Sequence, residues 1–162
     1  SHAMLREIAK RLEFEVPNKL LVQGTTTKQA LLDAYLADES AVLLGTGAFW
    51  EGVDVRGNDL ICVMIDKLPF ASPDDPLLQA RMEDVKKRGA NPFAAIQIPQ
   101  AVITLKQGAG RLIRDPTDKG VLVICDNRLV TKPYAQTFVS SLPDMQRTRS
   151  LDKVESFLQA IK

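Results

Sequence analysis

Leu60-Ile-Cys-Val-Met-Ile65 is a run of six apolar residues without a polar interruption. A strand with one wet face alternates apolar and polar residues at a period of two. A run without alternation suits a strand covered on both faces, and such strands belong to parallel sheets. Three other short runs read as strands: residues 19–23, 41–44 and 120–125. Helical periodicity fills the intervals. Leu5, Ile8 and Leu12 share one face over residues 3–12, and Leu31, Leu32, Tyr35 and Leu36 share one over residues 28–37, where Thr26 or Thr27 supplies the N-cap. Pro69, Pro73 and Pro76 interrupt the chain after the third strand. A polar helix over residues 75–87 follows them, so residues 68–95 read as a helical insertion. A further helix begins near Ile96, and Leu151, Val154, Phe157, Leu158 and Ile161 mark an amphipathic tail that either packs on the sheet or offers a docking face. Strands alternating with helices predict an α/β layer fold with a mostly parallel sheet.

Composition narrows the function. The 162 residues fit one domain, and a net charge of +1 argues against bulk electrostatic attraction to nucleic acid, so any such contact needs a local patch. Cys62 and Cys125 sit in or beside apolar runs without metal-ligand spacing, which suits reduced thiols. No apolar run approaches the length of a membrane span and no signal-peptide pattern opens the chain, so the expected setting is the cytoplasm. His2 is the single histidine and stands at one end, which removes a Ser-His-Asp site from consideration.

Two stretches carry candidate chemistry. Gly45-Thr-Gly-Ala-Phe-Trp-Glu-Gly-Val-Asp54 follows a buried strand with three glycines and two carboxylates. The backbone N–H groups of such a loop can hold a phosphate oxygen, although the Gly-Lys-Ser/Thr ending of a P-loop occurs nowhere in the chain. The ordinary alternative is a tight turn with Phe49 and Trp50 as core cover. The second stretch is Gln107-Gly-Ala-Gly-Arg-Leu-Ile-Arg114. On a helical period Val102, Leu105, Ala109 and Leu112 form a core stripe. Gln107, Arg111 and Arg114 fall on the opposite face at i, i+4 and i+7. Gly108 and Gly110 each cost about 1 kcal/mol against alanine in a helix interior, which suggests a backbone that must come close to something. Guanidinium groups match phosphate with paired hydrogen bonds, but an ordinary solvated face has the same spacing. Asp66, Asp74 and Asp75 lie in proline-rich turns and read as turn and capping residues rather than metal or acid–base carboxylates.

Taken together, Trp50-Glu-Gly-Val-Asp54 and Gln107-x-x-Gly-Arg-x-x-Arg114 resemble motifs V and VI of superfamily 2 helicases. With Lys67-Leu-Pro-Phe-x-Ser-Pro73 and the continuation Arg114-Asp115, the spelling resembles the XPD/DinG branch over essentially the whole chain, and the wider match, including residues 66–82 and 120–129, is nearest to its YoaA-like members. The resemblance implies a RecA-like three-layer domain, residues 1–162 being the second of two motor domains that clamp ATP. It implies that residues 1–4 are native, as part of the segment that opens this domain in relatives. The P-loop, most of the Mg2+ site and an iron–sulfur cluster would belong to the absent first part.

Roles follow by likeness. Arg114 would be the arginine finger, Arg111 a phosphate ligand or a coupling residue, and Gln107 would orient water or the finger. Glu51, Gly52, Asp54 and Gly110 would face ATP. Thr46, Gly47, Trp50 and Ser1, with His2 as a weaker member, would face single-stranded or forked DNA. The activity implied is ATP-driven 5′-to-3′ DNA unwinding in repair or replication, near the nucleoid, with the isolated chain inactive as an ATPase. A different class of function is a docking module for the chi subunit of DNA polymerase III, with the tail as the eligible surface.

Overall fold

The computed structural model describes residues 2–50, 55, 59–114 and 117–161, apart from the side chains of Ala48 and Trp50. The chain forms two compact units, Ser1–Asp59 and Leu60–Lys162. The first contains helix α1 (His2–Glu15), strand β1 (Leu20–Val22), helix α2 (Lys28–Leu36), strand β2 (Val42–Leu44) and a 3₁₀ turn at Gly47–Trp50. β1 and β2 pair in parallel, Leu20 opposite Val42 and Val22 opposite Leu44. Thr27 caps α2, its hydroxyl oxygen accepting the Ala30 N–H at 3.3 Å. Leu5, Leu21, Leu31, Leu32 and Phe49 are buried. Leu36, expected on the apolar face of α2, is 48% exposed because it stands in the last turn.

The second unit contains β3 (Cys62–Ile65), α3 (Pro76–Lys87), a π turn (Phe93–Gln97) running directly into α4 (Ile98–Leu112), β4 (Val121–Ile124), α5 (Arg128–Thr131), α6 (Ala135–Ser141) and α7 (Leu151–Ile161). β3 and β4 pair in parallel, Cys62 opposite Val121 and Ile65 opposite Ile124. Parallel neighbours need a crossover, and α4 supplies it, packing on both strands. Its buried stripe is Ala101, Leu105, Ala109 and Leu112. Three of these match the predicted stripe, while Ala101 takes the place of the half-buried Val102. The helix after the third strand is present, started by Pro76 and capped by Asp75, whose carboxylate accepts the Leu77 and Leu78 N–H groups at 2.9 and 3.1 Å.

The α/β class with parallel strand pairing therefore holds. Two further features differ from expectation. β3 is not covered throughout: Ile65 is 3% exposed but Met64 is 69% exposed, although its run is wholly apolar. The amphipathic tail α7 forms as predicted but has no fully buried residue; Val154, Leu158 and Ile161 of its apolar face are half-buried.

Two contacts set the position of α4. At its C-terminal end Leu112 covers Gly120, the residue before β4. A Cβ at position 120 would stand 2.5 Å from Leu112 Cδ1 and 3.1 Å from the Ile61 carbonyl oxygen. At its N-terminal end the π turn is seated in an aromatic cluster. Phe93 stacks on Phe70 at 5.4 Å between centroids, and Tyr134 and Phe138 meet Phe70 edge-on at 5.9 and 5.7 Å. The Arg128 guanidinium lies 5.0 Å from the Phe70 centroid and is itself held by the buried carboxylate of Asp126. Arg128 donates from Nε at 2.9 Å and Nη2 at 2.5 Å, and the backbone N–H groups of Leu68 and Arg128 donate at 2.8 and 3.0 Å. The side-chain hydrogen bonds from Arg128 hold the Asp126 carboxyl far below the usual carboxylate range. Burial opposes this and is outweighed, and the two N–H groups add to the lowering.

Gly120→Ala is expected to lower stability by about 1–3 kcal/mol, because the new methyl group must displace Leu112 and a backbone carbonyl; chemical denaturation measures it. The second expectation concerns pH. A depressed folded-state pKa contributes stability that is complete above the unfolded carboxyl value of about 3.9 and is lost as pH falls below it. Asp126→Asn should therefore cost about 2 kcal/mol at neutral pH and lose less than wild type on acidification. Urea midpoints for both proteins, taken from neutral pH to about pH 3, check the sign.

Candidate functional site

The last turn of α4 carries the residues with most chemical interest. Gln107 is exposed, Gly108 is buried, and Arg111 is half-buried. Among the described residues, Arg111 Nε is a buried side-chain nitrogen without a hydrogen-bond partner. A buried donor left unpaired costs about 1–3 kcal/mol, so an acceptor reaching it would gain most of that back. The ordinary account of this arginine is that a cation in the last turn complements the helix dipole. That account explains the charge but not the unpaired Nε. Gly110 is one residue away, and a Cβ there would meet no atom within 4 Å. A side chain at this position would therefore point into open space. A tight approach among the described residues of this unit is at Gly120.

Arg114 is not the third member of a helical row. α4 ends at Leu112, and Ile113 is extended (φ −120°, ψ 105°). The chain leaves the helix because the Arg114 N–H finds its acceptor outside it, in the Asp118 carboxylate at 2.9 Å. The β-branched Ile113 also favours extended backbone. Gln107 and Arg111 remain one helical turn apart, while the exposed Arg114 is carried on the following loop.

In the first unit the loop after β2 is tied back to β1. The Thr46 N–H and hydroxyl both donate to Gln23 Oε1, at 2.7 and 3.1 Å. A phosphate oxygen only accepts, so Thr46 would have to turn its hydroxyl from Gln23 to donate to one. Gly47 is exposed with open space around its missing Cβ. Phe49 is 6% exposed, which is the packing role expected for at least one of the two aromatics. Phe49 explains Gly45 as well: a Cβ at position 45 would stand 2.9 Å from Phe49 Cβ. Lys28 Nζ lies 5.2 Å from the Phe49 centroid, beside a cavity of about 280 Å³ lined also by Gln23, Gly24 and Thr26. His2 begins α1 and is exposed. Ser1, Glu51, Gly52, Asp54 and the side chain of Trp50 lie outside the described residues.

The turn carboxylates behave as expected of turns. Asp66 accepts the Lys67 N–H at 2.9 Å, and Asp75 caps α3. Among the described residues no group of three or more His, Cys, Asp or Glu side chains is gathered for a metal ion, and no helix is long and apolar enough to cross a membrane. Sequence reasoning gave no role to Asp126, Arg128, the aromatic cluster or Gly120. The available signal was an aspartate placed directly after an apolar strand with an arginine two residues on.

Comparison with known proteins matches residues 1–145 to the helicase C-terminal domain family. The chain is 56% identical over 158 residues to the ATP-dependent DNA helicase YoaA of Escherichia coli, covering 98% of this chain and 25% of that protein. It is 39% identical over 168 residues to the 3′-5′ exonuclease DinG of Bacillus subtilis, covering all of this chain and 18% of that protein. It is 36% identical to the ATP-dependent helicase DinG of Mycobacterium tuberculosis, covering 96% of this chain and 24% of the relative. The chain thus spans about a quarter or less of the length of these relatives. With parallel α/β strand pairs on one side and a family match over most of its length on the other, this chain belongs to the helicase C-terminal domain family, of the XPD/DinG type.

Proposed function

We propose that this chain is the second motor domain of an ATP-dependent 5′-to-3′ DNA helicase acting in repair or replication, in the cytoplasm at the nucleoid. The observation that supports it most is Arg111, with its buried unpaired Nε in the last turn of α4 beside the open backbone of Gly110. A phosphate oxygen is the acceptor that such a donor suits. In this reading Arg111 binds nucleotide phosphate, Gln107 orients the attacking water, and Arg114 reaches the γ-phosphate from its loop as an arginine finger. Glu51, Gly52 and Asp54 complete the ATP-facing set. Thr46, Gly47, Trp50 and Ser1 touch the DNA backbone or bases. By likeness, most of the Mg2+ site, an iron–sulfur cluster and the P-loop of the first motor domain belong to the part of the parent protein outside this sequence.

The test is DNA-stimulated ATP hydrolysis by the full-length parent. Arg114→Ala and Arg111→Ala are each expected to lower kcat by about two to three orders of magnitude with DNA binding retained. The isolated 162-residue chain is expected to show no turnover. Unchanged kcat in both variants would return the two arginines to an ordinary solvated face.

A second reading has its own observation. α7 lies beyond the residues that the family match covers, none of its residues is buried, and Leu151 and Phe157 are 81% and 42% exposed. Such a face suits a partner protein, here proposed as the chi subunit of DNA polymerase III. Deleting residues 148–162 from the parent should abolish co-purification of chi while leaving DNA-stimulated ATPase within about twofold of wild type. Undiminished chi capture would exclude the tail.

A further inference from the structure

We infer that Asp126 and Arg128 are positioning residues for the motor reaction, setting where the Gln107–Arg111 turn of α4 stands. The inference rests on the motor reading above and goes beyond it, because that reading gives neither residue a role. The chain of contact is continuous. Asp126, 8% exposed, binds the Leu68 N–H from the loop after β3 and the Arg128 side chain from the loop after β4. Arg128 lies over the Phe70 ring. Phe70 stacks on Phe93, the first residue of the π turn, and that turn continues without a break into α4. Tyr134 closes the other side, 5.3 Å from Phe93 and 5.9 Å from Phe70.

A helix transmits a shift along its own axis because its hydrogen-bonded backbone is stiff. Displacement at the π turn therefore arrives at Arg111, in the last turn, nearly undiminished. Reactions that depend on a placed charge are sensitive to such shifts: a misplacement of about 1 Å can cost on the order of a hundredfold in rate. A π turn also contains one residue more than an α turn, and such turns recur near functional sites because they change helix phase. Here the aromatic cluster seats that turn at Phe93. Arg128 suits the seat through its planar group, which lies against Phe70 while its edge meets the carboxylate. Lysine keeps the charge but not the plane.

The experiment uses the full-length parent and measures DNA-stimulated ATPase, the KM for ATP and thermal melting for Arg128→Lys and Phe70→Leu, with Arg111→Ala alongside. The expected result for Arg128→Lys is a fall in kcat of about tenfold or more, with KM for ATP within about twofold of wild type and melting little changed. Phe70→Leu, which leaves the Asp126–Arg128 pair in place, should show the same split, and it carries the test should Arg128→Lys fail to fold. A kcat that is unchanged, or that falls only in proportion to the folded fraction, overturns the inference and leaves the pair a structural brace. Should Arg128→Lys lower kcat while Arg111→Ala does not, the motor reading of α4 fails, and the inference with it.

Discussion

A carboxylate taken out of water must find donors for its charge, and Asp126 is that constraint in the second unit. Desolvation costs several kcal/mol per ion unless geometry and hydrogen bonds compensate. Compensation here requires Leu68, 58 positions away, to present its N–H, and Arg128 to fold back over its own loop. Meeting both conditions brings together the loops beyond β3 and β4. Phe70 then stands under the guanidinium, and the ring cluster assembles around it. Phe138, fully buried on α6, closes that cluster beneath the crossover helix. The rest of the unit packs outward from this point.

α4 is placed by two different kinds of contact. The aromatic seat at its start is broad and tolerant, since ring pairs keep much of their attraction over a range of tilts. The seat at its end is steric: Leu112 occupies the space that any side chain at position 120 would need. One contact orients the rod and the other stops it. The polar residues of the last turn take their positions from both. Arg111 is the product of that placement, a guanidinium nitrogen buried without an acceptor among the described residues. Arg114 takes its position from the loop that Asp118 organises. Two arginines that look equivalent in the sequence are thus held by different means, one by a helix and one by a loop.

The first unit shows a comparable economy. Gln23, the residue after β1, gathers both donors of Thr46, and the missing side chain at Gly45 makes room for Phe49. The turn at Gly47–Trp50 is therefore shaped by packing beneath it as well as by any ligand above it. Phe49 and its neighbour illustrate why a glycine-rich, aromatic loop is ambiguous when read as sequence. The same residues suit a core cover and a binding loop, and burial decides between them residue by residue.

What the sequence determined by itself was local and periodic. Strand runs, most of the helix-face positions, the caps at Thr27 and Asp75, and the extent of α7 followed from rules acting over a few residues, and these are present. The two stretches whose spelling resembles helicase motifs were also legible, and the family match agrees with them. Tertiary structure decided the rest. Periodicity carried the Gln107–Arg111 row on to Arg114, but a helix ends where its next N–H finds a better acceptor, and Asp118 is that acceptor. Glycine content pointed to Gly108 and Gly110 for close approach, yet a side chain at Gly110 would meet open space while one at Gly120 would not, because crowding depends on what a crossover brings alongside. Asp126 gave one weak local sign, since its partner Leu68 lies 58 positions away and meets it only after the strands pair. Interactions within one or two turns of chain are written in the order of residues; those made by parallel pairing and crossover exist only once the fold has closed.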